Sequence, residues 1–240
     1  MKTEKVYIVM PAYNEEANIA ATVAEWHAVC ERLVDEGHEA RLVIANDGSK
    51  DRTWDVLQDL QRRYPLLIPL HKTNSGHGAT VHYLYRYAIH HGADYVFQTD
   101  SDGQTLPEEF GDMWEQREAF DFHIGSRTHR QDGIGRIFVT NVLRMVVWLM
   151  FHVRVEDANT PFRLMRAERL KAVLAYIPED MFLTNVTVSA IAVKKGEKVA
   201  WYPITFRPRQ GGVNSINMRR IFRIGCKALG DFRMINKRLG

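Results

Sequence analysis

The chain has 240 residues, 45% of them apolar and 25% charged, with a formal net charge of +3. That balance excludes a disordered or fibrous chain and allows one large core or two modest ones. Cys30 and Cys226 stand far apart in no metal spacing, which argues against a disulfide framework and for a reducing compartment.

The total hides an asymmetry. From Arg207 to Gly240 nine Lys/Arg stand against one Asp, so this tail carries +8 and leaves the first 206 residues at −5. A basic tail beside an acidic body points to a local anionic partner, a membrane surface or a phosphorylated ligand, and away from nucleic acid. Met1-Lys2-Thr3-Glu4-Lys5 leads into a strand-like segment without the apolar run of an export signal, so a cytoplasmic location is expected.

In chain order, 6–10 predicts a buried strand, and Pro11-Ala12-Tyr13-Asn14-Glu15 turns into a helix with Ile19, Val23, Trp26, Cys30 and Leu33 on one face, stopped by Gly37. Residues 42–45 predict a second strand ending in Asn46-Asp47-Gly48-Ser49, followed by a helix with Trp54, Leu57 and Leu60. A third strand at 67–70, a helix at 78–91 and a fourth strand at 95–98 continue the alternation. Strands alternating with amphipathic helices imply parallel pairing through right-handed crossovers. Glu15, Asp47 and Asp100 then fall just after strands, where an open parallel sheet lines its ligand crevice.

The fourth strand runs into Thr99-Asp100-Ser101-Asp102-Gly103-Gln104, with a long helix expected after Pro107. Extended chain puts residues i and i+2 on one side, so Asp100 and Asp102 can converge on one point. Two carboxylates and an amide oxygen suit Mn²⁺ or Mg²⁺. An isolated Asp-x-Asp is more often a solvated helix cap; its neighbours decide otherwise here.

In the second half, 122–126 predicts a strand with Arg127 beyond its end. Residues 137–153 are too short to span a bilayer; Thr140, Asn141, Arg144 and His152 form a polar stripe, so the segment reads as a packed helix or one lying in a membrane interface. Asp157 to Arg163 form a polar loop, helices or strands resume through 181–194 and 199–206, and a basic amphipathic helix begins near Asn217 with Ile221, Ile224, Ala228, Phe232 and Ile235 at helical spacing. That helix reads equally as docked on the body and as membrane-bound. Asn74-Ser75-Gly76-His77-Gly78 reads as a loop near a ligand or as a plain turn. The ten histidines show no metal pattern, and the five tryptophans read as core or interface.

The motifs Pro11-Ala12-Tyr13-Asn14-Glu15, Asn46-Asp47-Gly48-Ser49-Lys50-Asp51, Asp100-Ser101-Asp102-Gly103-Gln104, Gly125-Ser126-Arg127, Asp157 with Phe162-Arg163, and Arg209 through Ser215 follow one another in an order that resembles family 2 glycosyltransferases of GT-A fold. Within them it resembles the dolichol- or polyprenyl-phosphate sugar synthases. The resemblance implies an α/β fold with a Rossmann-like, mostly parallel sheet flanked by helices. Its parts would be a donor-binding half at 1–125, an acceptor-side half of the same domain at 126–206, and a basic amphipathic tail at 207–240.

It further implies that Pro11, Tyr13 and Glu15 contact the nucleotide, with Ala45 and Asp47 at its base and ribose. Asp100, Ser101 and Asp102 would face the sugar-diphosphate, with Asp100, Asp102 and Gln104 as metal ligands and Arg127 near the diphosphate. Arg163, Arg209 and Ser215 would bind the acceptor phosphate, and Asp102 and Asp157 would be catalytic. The implied reaction is metal-dependent, inverting sugar transfer from a nucleotide-diphosphate sugar to polyprenyl phosphate at the inner membrane face, with Mn²⁺ or Mg²⁺ as cofactor and the membrane surface as partner.

Two departures bear on the acceptor. Asn185 stands where many members carry a Glu that could act as base, and the tail motif Arg209-Gln210-Gly211-Gly212-Val213-Asn214-Ser215 is one residue longer than usual and lacks its Lys. A phosphate monoester, already anionic with a second pKa around 6, needs no base; a glycan hydroxyl would need one, with Asp157 the candidate. A silent nucleotide-sugar binding module is a third reading. A dinucleotide oxidoreductase is disfavoured, because the first strand is not followed by a Gly-rich turn.

Overall fold

A computed structural model describes residues 2–127, 134–207 and 218–239. Seven strands form one sheet in the order β3-β2-β1-β4-β6-β5-β7. They are β1 Lys5–Ala12, β2 Glu39–Asp47, β3 Leu67–Lys72, β4 Tyr95–Gln98, β5 Phe122–Arg127, β6 Arg163–Arg166 and β7 Val199–Ile204. β1 pairs in parallel with β2 and β4, β2 with β3, and β5 with β7, whereas β6 runs antiparallel between β4 and β5. The expected mostly parallel α/β sheet is therefore present, with one reversed strand that the alternation does not announce.

β1 is buried along almost its whole length because helices cover both faces of the sheet. Its side chains alternate between two cores: Val6, Ile8 and Met10 enter one, Tyr7 and Val9 the other. Helices α1 (Ile19–Asp35), α2 (Thr53–Gln61) and α4 (Phe110–Glu115) close the first core through Trp26, Leu57 and Phe110. Helices α3 (His77–His90), α5 (Ile134–Phe151), α6 (Ala167–Leu174), α7 (Thr184–Lys194) and α8 (Met218–Leu239) close the second.

α1 ends as its sequence predicts. Gly37 takes φ 90°, and the Gly37 and His38 amides return to the carbonyls of Val34 and Leu33. The long helix expected after Pro107 is instead a 3₁₀ turn, Pro107–Glu109, running into the six-residue α4. Its three large apolar side chains, Phe110, Met113 and Trp114, suffice to fill that corner of the core.

Two helices with ambiguous sequence patterns are docked on the body. α5 buries Val147 and Phe151, and α8 buries Ala228, Phe232 and Ile235, with the Phe151 and Phe232 rings 5.2 Å apart. Among the described residues no helix is long and apolar enough to cross a membrane.

Candidate functional site

Parallel pairing brings the carboxyl ends of β1 to β4 to one edge, and the segments that follow them are stitched together by side chains. Asn14, at φ 56°, donates its amide to Ser49 Oγ (3.0 Å) and accepts the Lys50 amide on Oδ1 (2.8 Å). Thr53 Oγ1 accepts the Glu15 amide (2.9 Å), and Asp51 accepts the amides of Glu16 and Thr53. These bonds are why a motif after the first strand and one after the second act as a single wall. Gly48, at φ 64°, completes it: a Cβ there would stand 2.8 Å from the Asn74 amide nitrogen.

The wall borders an open cavity of about 530 Å³ lined by Pro11, Tyr13, Glu15, Asp47, Asp100, Ser101 and Asp102, with Ala12, Asn74, Gly76, His77 and Phe182. Seven of the residues expected in a donor site therefore meet around one space. Tyr13 lies at its rim, 42% exposed, an aromatic face suited to a nucleobase. Glu15 is buried and accepts the Asn18 amide nitrogen at 2.9 Å.

Asp47 organises the far wall. Lys72 Nζ donates to its Oδ1 at 2.5 Å, as does the Ser75 amide at 2.8 Å, while the Gly76 amide donates to Oδ2 at 2.9 Å. Burial pushes this carboxyl up, yet Lys72 and the hydrogen bonds from Ser75 and Thr80 outweigh it and hold the group below its usual range. The Asn74-to-Gly78 segment is accordingly not a plain turn. It wraps Asp47 and delivers the first turn of α3 to the cavity.

There His77 Nε2 lies 3.0 Å from Asp100 Oδ1. Burial alone would lower the imidazole, but Asp100, with Asp102 and Asp47 beyond, raises it above its ordinary value. Ser101 Oγ donates to the Pro11 carbonyl at 2.8 Å, and Thr99 and Thr105 hydroxyls meet at 2.7 Å, closing the loop that presents both aspartates.

Several expected site residues lie elsewhere. Ala45 is fully buried in β2, paired with Pro11 and Leu70, and does not line this cavity. Arg163 is 0% exposed; its guanidinium donates to the carbonyls of Thr160 (2.7 Å) and Asn185 (3.0 Å), so it holds a loop to a helix and cannot meet an acceptor. Gln104 is buried, donates its side-chain amide to the Arg207 carbonyl at 2.8 Å and does not line the cavity. Arg127 and Asp157 find each other, outside the cavity lining. Arg209 and Ser215 lie outside the described residues. Lys72 and Phe182 are site residues that the motifs do not single out, whereas His77 lies in the segment read as a loop near a ligand; for Lys72 the signal is a cation at the end of a strand, two residues before the Gly-rich segment.

Asp100 and Asp102 supply hard oxygen donors on one side of the cavity. Among the described residues no group of three His, Cys, Asp or Glu side chains could hold a metal ion. A cation here would be shared between these two carboxylates and the oxygens of a ligand, which fits Mn²⁺ or Mg²⁺.

The sequence model of glycosyl transferase family 2 matches residues 7–174. The polyprenol monophosphomannose synthase of Mycolicibacterium smegmatis is 24% identical over 224 residues, 90% of this chain and 82% of that protein. The undecaprenyl-phosphate mannosyltransferase of Micrococcus luteus is 25% identical over 222 residues, 89% of this chain and 88% of that protein. Among solved structures, the glucosyl-3-phosphoglycerate synthase of Mycobacterium tuberculosis in complex with Mn²⁺, UDP-glucose and phosphoglyceric acid superposes with a TM-score of 0.70 at 15% identity, covering 98% of this chain and 80% of that one. That likeness speaks for the fold alone.

Proposed function

The chain belongs to glycosyl transferase family 2 and is a glycosyltransferase of GT-A fold; on that premise we propose that it moves one sugar, with inversion, from a nucleotide-diphosphate sugar to polyprenyl phosphate at the cytoplasmic membrane face. One observation carries the reading: Asp100 and Asp102 open onto the same cavity as Pro11, Tyr13, Glu15 and Asp47. The two relatives described above, a polyprenol monophosphomannose synthase and an undecaprenyl-phosphate mannosyltransferase, support the acceptor class. The solved neighbour holds Mn²⁺ and UDP-glucose, which supports the cofactor and donor class.

In this mechanism Asp100 and Asp102 would hold the divalent cation, and His77 keeps the Asp100 carboxylate in place. Mn²⁺ or Mg²⁺ bound there would offset the charge on the departing nucleoside diphosphate. Tyr13 covers the base, while Asp47, tied to Lys72, keeps the first turn of α3 against the donor. The sugar passes through an oxocarbenium-like state, so the nearby carboxylates also favour it.

The acceptor phosphate is anionic near neutral pH and attacks without a base. Asn185 cannot take a proton and is buried, with Tyr85 donating to its Oδ1 at 3.4 Å. Asp157, the base that a glycan hydroxyl would require, is gripped by Arg127 on both carboxylate oxygens. That observation favours phosphate over the glycan reading. Asp157 then acts as a positioning residue that fixes Arg127 at the end of β5.

The test is transfer of radiolabelled sugar to a prenyl phosphate in the presence of Mn²⁺ or Mg²⁺. A lipid-linked, acid-labile product is expected with one nucleotide sugar. Binding of nucleotide sugars with no product and no hydrolysis would mark a silent module, and product only with a glycan acceptor would establish the second reading.

A further inference from the structure

We propose that Met145, Trp148 and Leu149, on the outward face of α5, together with a fringe of arginine and lysine, form the surface by which this protein lies on an anionic bilayer. A lipid-linked acceptor, as proposed above, would be met at such a surface; the residues themselves follow from geometry.

α5 turns Val147 and Phe151 wholly inward, yet leaves Met145, Trp148 and Leu149 54%, 50% and 53% exposed. The helical repeat sets Arg144 and Trp148 along one line with Met145 and Leu149 beside it. Among the described side chains the outward face of α5 therefore carries apolar Met145, Trp148 and Leu149 beside Arg144; of the expected polar stripe, the side chains of Thr140 and Asn141 lie outside the described residues. Beneath it opens a groove of about 610 Å³ that Arg144, Arg154 and Trp201 also line. Arg144 Nε points to the Val155 carbonyl at 3.4 Å, so one cation stays at the groove's edge. The groove reaches Val155 and Glu156, the latter next to Asp157 in the chain.

α8 extends the same character. It packs on α5 through Phe232 against Phe151 and leaves Lys227, Arg233, Lys237 and Arg238 exposed, along with Leu229 and Met234. Large apolar side chains half sunk among long cations are the arrangement that an anionic interface takes up, because the aromatic and aliphatic parts enter the acyl boundary while the cations reach phosphate. Complementary charge selects this occupant: the tail from Arg207 carries +8 against an otherwise acidic chain.

The experiment is flotation of the full chain with vesicles of phosphatidylcholine alone, or of phosphatidylcholine and phosphatidylglycerol in equal parts. Wild type is compared with a Met145→Ser, Trp148→Ser, Leu149→Ser triple variant and with an Arg144→Gln, Arg154→Gln double variant. Wild type is expected to float with the anionic vesicles, the triple variant to partition at least about tenfold less, and the double variant to lose binding to anionic vesicles only. All three should keep the same melting temperature and the same sugar transfer to a short-chain, water-soluble prenyl phosphate.

Equal vesicle binding by wild type and triple variant overturns the proposal. So does a dimer that the triple substitution dissociates without any vesicle binding, which would assign the stripe to a second copy. Loss of transfer to the soluble acceptor by the triple variant alone would make the stripe part of the acceptor site instead. If no protein transfers sugar to any prenyl phosphate while the flotation results hold, the sugar-transfer reading fails and the membrane surface stands.

Discussion

Arg127 and Asp157 meet in two parallel hydrogen bonds, Nε to Oδ2 at 2.7 Å and Nη2 to Oδ1 at 2.9 Å, with side chains 12% and 6% exposed. A carboxylate held this way is a clamp for the guanidinium. Asp157→Asn and Arg127→Ala should each lower kcat by about tenfold to a hundredfold, and the double variant should be no worse than either, because the two act as a unit. Asp157→Asn should also leave the shape of the pH–rate profile unchanged. A lost acidic limb in that variant would restore Asp157 as a base.

Asp100 and Asp102 have a separable signature. Asp102→Asn should reduce kcat by about a thousandfold, the scale of removing a charge-stabilising group, and should flatten the dependence of rate on Mn²⁺ concentration. Calorimetric titration with a nucleoside diphosphate should show the cation strengthening binding to wild type and to neither Asp100→Asn nor Asp102→Asn.

Lys72 keeps Asp47 charged inside the wall of the cavity. Lys72→Met leaves that carboxylate without its cation and should cost about 3 kcal/mol of stability near neutral pH, read from urea unfolding. The Asp47 carboxyl is held low in the folded state, so its contribution is present above the ordinary carboxylate pKa and fades as pH falls below it. The gap between variant and wild type should therefore shrink in acid.

Gly78, in the first turn of α3, leaves no room for a side chain. A Cβ there would overlap the carbonyl oxygens of Met181 and Phe182. Gly78→Ala should destabilise by about 2 kcal/mol and, by pushing Phe182 off the cavity wall, raise the KM for the donor. Gly111→Ala in α4, where nothing lies within 4 Å of the added carbon, should stay within about 0.5 kcal/mol of wild type by the same measurement.

His123 on β5 gives the chain a pH sensitivity far from the site. Burial drives its imidazole down to about 4, only partly offset by the carbonyls of Arg117 and Phe120, while Tyr202 Oη lies 3.0 Å from Nδ1. The unfolded chain, with an ordinary pKa near 6.5, binds the proton first. Stability should be complete above about pH 6.5 and fall as pH drops toward 4, by up to about 3 kcal/mol. Thermal melts of His123→Asn across that window should show a shallower slope; an equal slope would remove His123 as the cause.

The features legible in the sequence have local causes. The fourth strand stands out because an apolar run ends in two carboxylates, and the stitching of Asn14 to Ser49 is foreshadowed by two polar motifs following two strands. The Asp47–Lys72 pair joins residues 25 apart with no periodicity to reveal it. Ala45 and Arg163 are misplaced by their motifs for a related reason: a motif gives neighbours in sequence, whereas a sheet covered on both faces buries its strand residues whichever side they face. Arg163 looks like a free cation because nothing local shows that its donors end on the carbonyls of Thr160 and Asn185. The four residues of β6, bracketed by arginines, carry too short an apolar run to announce a strand.

That short strand has a consequence for anyone wishing to dissect the molecule. Arg163 pairs with Gln98 on one side and Ile124 on the other, so a strand that comes after β5 in the chain is the seam between β4 and β5. A fragment ending at residue 125 would leave β4 with a bare hydrogen-bonding edge and nothing to cap it, a template for sticking to itself. Residues 1–125 and 126–206 should therefore be expressed as one piece, or co-expressed so that the missing strand can be donated in trans.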